Sequence, residues 1–192
     1  RGFSQRQGVD FFEIFSPTIR YSSVRLLLSL ANSLDLGIFG CDISNAFARA
    51  KLDTDRLHVA QPTGYQTLGP DGEPLVCRLK MSLYGKKQAA RLWNATFTKE
   101  MLAAGWRQFE TDTCIYTRTT AKHGTEFIGL YVDDIIHLCR TSETHTAFHT
   151  FCNSRFPTTT QGQLTWILGM EIKRDRIRRV LTLSQTQKIL EL

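Results

Sequence analysis

Apolar residues along this chain fall into short runs separated by polar and glycine-proline punctuation, and their spacing changes from stretch to stretch. After an irregular start punctuated by Gly2, Gly8 and Pro17, with Phe11, Phe12, Ile14 and Phe15 as anchors, Val24, Leu27, Leu28, Ala31 and Leu34 recur at helical spacing. Ser22 or Ser23 is the expected cap of that helix. Leu36 to Asp42 then alternates as a strand, with Ile38, Gly40 and Asp42 on one face and Phe39 and Cys41 on the other. Asn45-Ala46-Phe47 begins a short helix. Residues 53–75 are rich in turns, and a Pro70-Asp71-Gly72 tip joins Leu57-His58-Val59 to Leu75–Leu79 as a hairpin.

Gly85-Lys86-Lys87-Gln88 opens a helix running to about Ala104, with Trp93, Phe97 and Met101 on its inner stripe and Gly105 as its stop. Strands are expected at Cys114-Ile115-Tyr116 and as the two arms Phe127–Leu130 and Ile135–Leu138 of a hairpin. Ser142 caps a further helix that turns Phe148, Phe151 and Cys152 inward. Leu168, Met170 and Ile172 lead into a basic tip, Lys173 to Arg179, and return through Leu181 and Leu183 as a last hairpin. Helices and antiparallel strands of this kind predict an α+β fold.

Composition narrows the class. With 192 residues, 42% of them hydrophobic, the chain can bury a core as one domain or one domain with two lobes. It carries no apolar run near the ~20 residues that span a bilayer and no leader pattern, so no membrane partner is expected. Its ends, Arg1 and Leu192, read as cut from a longer polypeptide. A net charge of +6 suggests an acidic partner such as nucleic acid. The cysteines Cys41, Cys77, Cys114, Cys139 and Cys152 lie in or beside apolar runs, without metal-like pairing, as buried thiols in a reducing, intracellular setting do.

The unusual chemistry is carboxylate. Asp133 and Asp134 stand side by side between the two hairpin arms, and Asp42 ends an otherwise apolar strand. Aspartate is poor in strands, and like charges repel unless a cation lies between them. A plain turn explains two aspartates equally well. If the two strands pair, the three carboxylates converge into an all-oxygen site suited to hard cations such as Mg²⁺. Two such ions about 4 Å apart make a clamp for phosphoryl displacement. His145, His149 and Cys152, at i, i+4 and i+7, permit a zinc site on one helix face, although such a trio is ordinarily just helix surface. Arg20 and Arg25 at the first helix and the basic hairpin tip are either solvated or turned to phosphate.

In order and spacing, a series of blocks resembles the reverse transcriptases of copia-type LTR retrotransposons over essentially the whole chain. The blocks are Phe15-Ser16-Pro17-Thr18 with Arg20 and Arg25, Cys41 through Phe47, Gln61-Pro62-Thr63-Gly64-Tyr65, and Leu79 through Gly85 with Gln88, Ala89 and Trp93. Tyr131-Val132-Asp133-Asp134, Leu168-Gly169-Met170-Glu171-Ile172 and Leu183-Ser184-Gln185 complete them. The resemblance implies a right-hand polymerase palm and fingers, an antiparallel sheet with the catalytic hairpin backed by helices. It implies Asp42, Asp133 and Asp134 as catalytic residues, with Asp42, Ile43, Asp133 and Asp134 at two Mg²⁺ ions (Mn²⁺ as a substitute). It implies Phe47, Tyr84, Gly85 and Gln88 at the incoming nucleotide, Phe47 abutting its sugar, and Tyr131, Val132, Gly169, Met170 and Glu171 along the nucleic acid.

The implied activity is RNA-directed DNA synthesis. Its partners are an RNA template, a DNA primer, deoxynucleoside triphosphates and other polyprotein parts such as ribonuclease H and integrase, in a cytoplasmic virus-like particle or the nucleus. Residues 1–192 then form a fingers and palm core, with a finger strand before Arg1 and the thumb and ribonuclease H after Leu192. Lys86, Ala90 and Ala48-Arg49-Ala50 depart from the family's usual leucine, proline and Leu-Asn-Gly. They motivate an alternative, a catalytically decayed remnant that only binds nucleic acid.

Overall fold

A computed structural model describes residues 2–190. The elements are α1 (Tyr21–Ser33), β1 (Gly37–Ile43), β2 (His58–Ala60), β3 (Val76–Arg78), α2 (Ala89–Ala103), β4 (Arg107–Gln108), β5 (Ile115–Thr120), β6 (Gly124–Tyr131), β7 (Asp134–Cys139), α3 (Ser142–Asn153), β8 (Thr158–Gln163), β9 (Trp166–Ile167), β10 (Met170–Asp175), β11 (Val180–Ser184) and α4 (Thr186–Leu190). The result is a mixed α/β chain with antiparallel sheets and few helices. It divides into two compact units, one from Arg1–Ser16 and Asn45–Thr98, the other from Pro17–Ser44 and Lys99–Leu192.

The first unit holds the β2–β3 pair in the register His58↔Arg78, close to the hairpin expected around Pro70-Asp71-Gly72. A single 3-10 turn, Ala46–Arg49, stands where the short helix was expected, entered through Asn45 at φ +56°. Trp93 and Phe97, four residues apart on α2, are fully buried with ring centroids 5.8 Å apart. Cys77 corrects the expectation of five buried thiols: it lies on exposed β3, whereas Cys41, Cys114, Cys139 and Cys152 are buried.

The second unit is built on a six-stranded sheet ordered β4-β5-β6-β7-β1-β8, with a three-stranded sheet β11-β10-β9 beside it. Residues paired across an antiparallel ladder share a face, and successive residues alternate between faces. On one face Gly129 lets Ile19 and Leu27 approach, since a Cβ there would lie 2.8 Å from both. The opposite face carries His137 and Cys41 toward α3, whose Thr144, His145, Phe148 and Cys152 are buried. Helix α2 ends as its sequence predicts: Gly105 has φ +82°, and Trp106 N–H and Gly105 N–H donate to Met101 and Leu102 carbonyls, a Schellman stop.

Two caps differ from expectation. Thr141, not Ser142, caps α3, accepting from the Thr144 N–H. For α1 neither Ser22 nor Ser23 caps. The buried Asp112 carboxylate instead accepts from Arg20 N–H (3.1 Å), the Ser23 hydroxyl (2.6 Å) and Cys114 N–H (3.1 Å). A carboxylate suits a helix N-terminus electrostatically. Strand β8 had no sequence expectation at all, because Thr-Thr-Thr-Gln-Gly-Gln lacks apolar alternation.

Candidate active site

The site forms where β1 meets the β6–β7 hairpin. Strand β1 pairs antiparallel with β7, and its last register pairs are Cys41↔Ile135 and Asp42↔Asp134. On the other side of β7, Tyr131 pairs with Asp134, so Val132 and Asp133 make the turn alone. Antiparallel partners have Cα atoms ~4.5–5.5 Å apart. Two carboxylates are therefore held directly opposite each other by backbone, with a third at the adjoining turn. The Ile43 N–H donates to the Asp133 carbonyl (3.0 Å), tying the end of β1 to that turn. Sequence distance between Asp42 and the hairpin is thus closed by register.

Like charges directly across a ladder destabilise it. Burial and the neighbouring Asp133 raise the Asp42 carboxyl above its usual range, and burial, Asp133 and Asp42 raise Asp134. Among the described residues no Lys, Arg or His forms an ion pair with any of the three. Nor do any three His, Cys, Asp or Glu side chains among the described residues already stand as a coordination shell. The register fixes the backbones, and all three side chains are partly exposed.

Val132 occupies the first turn position with φ +57°. A β-branched residue there is an outlier, since two-residue hairpin turns with one left-handed residue at that place favour glycine. Leu168 and Gly169, at φ +48° and +74°, turn β9 into β10. Gly169 is exposed, Met170 is buried, and Glu171 pairs with Lys173 at 3.0 Å. Tyr131, Tyr21, Trp166, Leu168, Gly169 and Lys188 border a cavity of about 600 Å³ next to the hairpin.

In the first unit, Phe47 and Tyr84 pack together with ring centroids 4.7 Å apart, and Gly85 sits exposed at φ +81°. Gln88, expected at the incoming nucleotide, lies inside the unit. It is fully buried; its Oε1 accepts from Gln5 (3.0 Å) and its Nε2 donates to the Asp10 carbonyl (3.1 Å), so it is an internal strut. The helix-face zinc reading also loses its ligands to hydrogen bonds. His145 bonds His137 and Thr160, and His149 Nε2 donates to the Thr158 carbonyl at 2.9 Å. The basic tip is largely occupied within the unit. Arg174 donates to Ala31 (2.9 Å) and Leu36 carbonyls and pairs with Asp35, which also accepts from Arg176 (2.8 Å). Arg20 and Arg25 are exposed.

Behind β1 and β7 lies a buried polar chain that the sequence reading missed. Glu126, fully buried, pairs with Arg118 (3.0 Å) and with His137 Nε2 (3.1 Å), and His137 Nδ1 meets His145 Nδ1 at 3.2 Å. His145 Nε2 meets the Thr160 hydroxyl at 3.0 Å. An ionised Glu126 only accepts, which puts the His137 proton on Nε2; His145 then donates from Nδ1 and accepts from Thr160. Burial pushes both imidazoles down, His145 to about 4, while His137 and Arg118 hold Glu126 below its usual range against the opposing effect of burial.

The antiparallel sheet thus presents Asp42 opposite Asp134 at a strand end, with Asp133 at the adjoining hairpin turn. The chain belongs to the reverse transcriptase (RNA-dependent DNA polymerase) family, whose model matches residues 1–191, in agreement with the copia-type retrotransposon resemblance of its motif blocks. It is 35% identical over 189 residues to the "Retrovirus-related Pol polyprotein from transposon TNT 1-94" of Nicotiana tabacum, covering 98% of this chain and 14% of that protein. It is 33% identical over 195 residues to the transposon RE1 Pol polyprotein of Arabidopsis thaliana, covering 100% of the chain and 13% of that protein. The RE2 polyprotein of the same plant is 33% identical over 194 residues, again 100% of the chain and 13% of that protein. The chain thus spans a small part of each of these polyproteins.

Proposed function

We propose that this chain is the catalytic core of an RNA-directed DNA polymerase, adding deoxynucleotides to a primer 3′ end on an RNA or DNA template. The observation that carries the reading is the pairing of Asp42 with Asp134 beside Asp133 at a strained two-residue turn. The donor set fits divalent magnesium. All three ligands are hard oxygens, among the described residues no cationic side chain forms an ion pair with them, and burial together with the neighbouring carboxylates lifts the Asp42 and Asp134 carboxyls. Asp42, Asp133 and Asp134, with the backbone at Ile43, would hold the ions. Bound there, two divalent cations supply charge neutralisation and activation of an attacking hydroxyl.

The chain's own residues do the rest. Strands β1 and β7 fix two ligands on one face, and the Ile43–Asp133 hydrogen bond fixes the turn. Tyr131 and Val132, with the Leu168-Gly169 turn and Met170-Glu171, line the track proposed for the nucleic acid. In this reading the sheet unit is the palm, and the unit carrying Phe47, Tyr84 and Gly85 is the fingers, with Phe47 excluding a 2′-hydroxyl. The partners follow: RNA template, DNA primer, deoxynucleoside triphosphates and the remainder of a Pol polyprotein.

Template-primer extension tests this. Mg²⁺-dependent incorporation that Asp133→Asn abolishes is the expected outcome; incorporation that survives this change refutes the assignment. The departures at Lys86, Ala90 and Ala48-Arg49-Ala50 favour one alternative, a nucleic-acid-binding remnant without catalysis. Salt-sensitive binding without incorporation would select it.

A further inference from the structure

We propose that Gln161 is a positioning residue for the Asp134 carboxylate, delivered to it by a β-bulge and admitted by a glycine in the catalytic strand. This inference rests on the polymerase reading above and assigns a new residue to that site.

Three features of the same place support it. The first is the ladder between β1 and β8. Gly40 pairs with Gly162 and Cys41 with Thr160, which leaves Gln161 without a partner, and the register shifts there. A bulge of this kind re-aims the extra residue's side chain, and bulges concentrate beside active sites. Gly162, at φ +66°, supplies the left-handed backbone such a bulge uses.

The second feature is the space into which Gln161 is aimed. A Cβ on Gly40 would lie 2.7 Å from Gln161 Oε1 and 2.9 Å from Leu164 Cγ. The Gln161 amide therefore lies across β1 at Gly40, where that strand lacks a side chain. Gly40 is two residues before Asp42 and pairs with Ile136, two residues after Asp134, so all of these share the face that carries the catalytic carboxylates.

The third is the contact itself: the Gln161 side chain hydrogen-bonds the Asp134 carboxylate. A carboxylate accepts only, so the donor is the Gln161 amide N–H. The bulge is in turn held from behind. The Thr160 hydroxyl accepts from Gly162 N–H (3.2 Å) and donates to His145 Nε2 (3.0 Å), which fixes the residues on either side of Gln161.

The consequence is orientation. A donor on one flank of Asp134 would select the rotamer that leaves a carboxylate oxygen free to face Asp42 and to take a cation. Partners of metal-ligating groups commonly matter 10–100-fold in affinity or activity when removed. Gln161 is exposed, so its replacement leaves the core untouched.

The test uses the full chain with Gln161→Ala and Gln161→Met, the latter keeping side-chain length without the donor. Mn²⁺ binding is measured by electron paramagnetic resonance without nucleic acid, alongside thermal melting and primer extension. The expected result is Mn²⁺ affinity lowered about 10-fold in both variants, with an unchanged melting temperature and unchanged KM for template-primer, while kcat falls. Parent-like Mn²⁺ affinity and kcat in both Gln161 variants would overturn the proposal while leaving the polymerase reading intact. A parent chain that neither binds Mn²⁺ nor extends a primer would overturn both.

Discussion

Acidifying the protein should unfold it through two imidazoles rather than through its carboxylates. His137 and His145 are 0% and 5% exposed and serve the Glu126–His137–His145–Thr160 chain as neutral rings. Burial is the main cause that keeps both rings neutral, and the Arg118 guanidinium near His137 adds to it against the Glu126 carboxylate. An unfolded histidine titrates near 6.5, whereas His145 in the fold titrates at about 4. Between those values the unfolded state binds the extra proton, so stability is full above about pH 6.5 and falls as pH drops toward 4. For His145 alone, at 1.36 kcal/mol per pH unit, the loss approaches about 3 kcal/mol. His137, also lowered, adds in the same direction. Glu126 has the same sign, but its contribution is lost only below its unfolded value of about 4.3. Asp42 and Asp134 work the other way, because their raised carboxyls gain stability on protonation.

Urea unfolding followed by tryptophan fluorescence at intervals from pH 7 to pH 4.5 reads the slope directly. A decline of at least about 1 kcal/mol per pH unit is expected below pH 6. In His145→Gln, which keeps a polar side chain but cannot titrate, the decline should be shallower. Equal slopes in parent and variant, or stability that is flat between pH 6.5 and 4.5, would refute the neutral-imidazole chain.

Other outcomes follow from single contacts. Asp112→Ala strips α1 of its only described cap and leaves Arg20 and Cys114 N–H groups unpaired; stability should fall by about 2–3 kcal/mol in chemical denaturation. Val132→Gly removes a β-branched residue from φ +57° and should raise stability by about 1 kcal/mol while lowering extension activity, since the turn loses its fixed shape. Arg174→Ala breaks the bonds from β10 to the end of α1 and should cost about 3 kcal/mol, with amide exchange in β10–β11 rising first; unchanged exchange there would contradict the anchoring role.

Much of this structure is legible in local sequence. The two apolar arms around Asp133-Asp134 become β6 and β7, the Val24–Ala31 stripe becomes the buried face of α1, and Gly105 stops α2. Asp42 is visible as an acid at the end of an apolar strand, and β1 register explains why it is there. What escapes sequence reading is non-local or polar. The cap of α1 comes from Asp112, far along the chain, and no local pattern announces it. Strand β8 is a run of threonine, glutamine and glycine whose only signal is Gly162, a glycine inside a strand that marks a bulge. His137 reads as one polar residue in an apolar arm, and its need for Glu126 and His145 appears only once β6, β7 and α3 pack. Gln88 sits in a motif block yet is spent on Gln5 and Asp10, because a buried amide must satisfy both its ends.

Asp42, Asp133 and Asp134 are proposed to gather divalent cations at the end of β1. Crystals of the chain grown with Mn²⁺ and examined by anomalous diffraction test it most directly. Manganese peaks bounded by carboxylate oxygens of Asp42 and the Asp133–Asp134 pair are predicted, and their disappearance in Asp42→Asn crystals. Well-ordered crystals whose manganese lies elsewhere, with none among these three side chains, would contradict it.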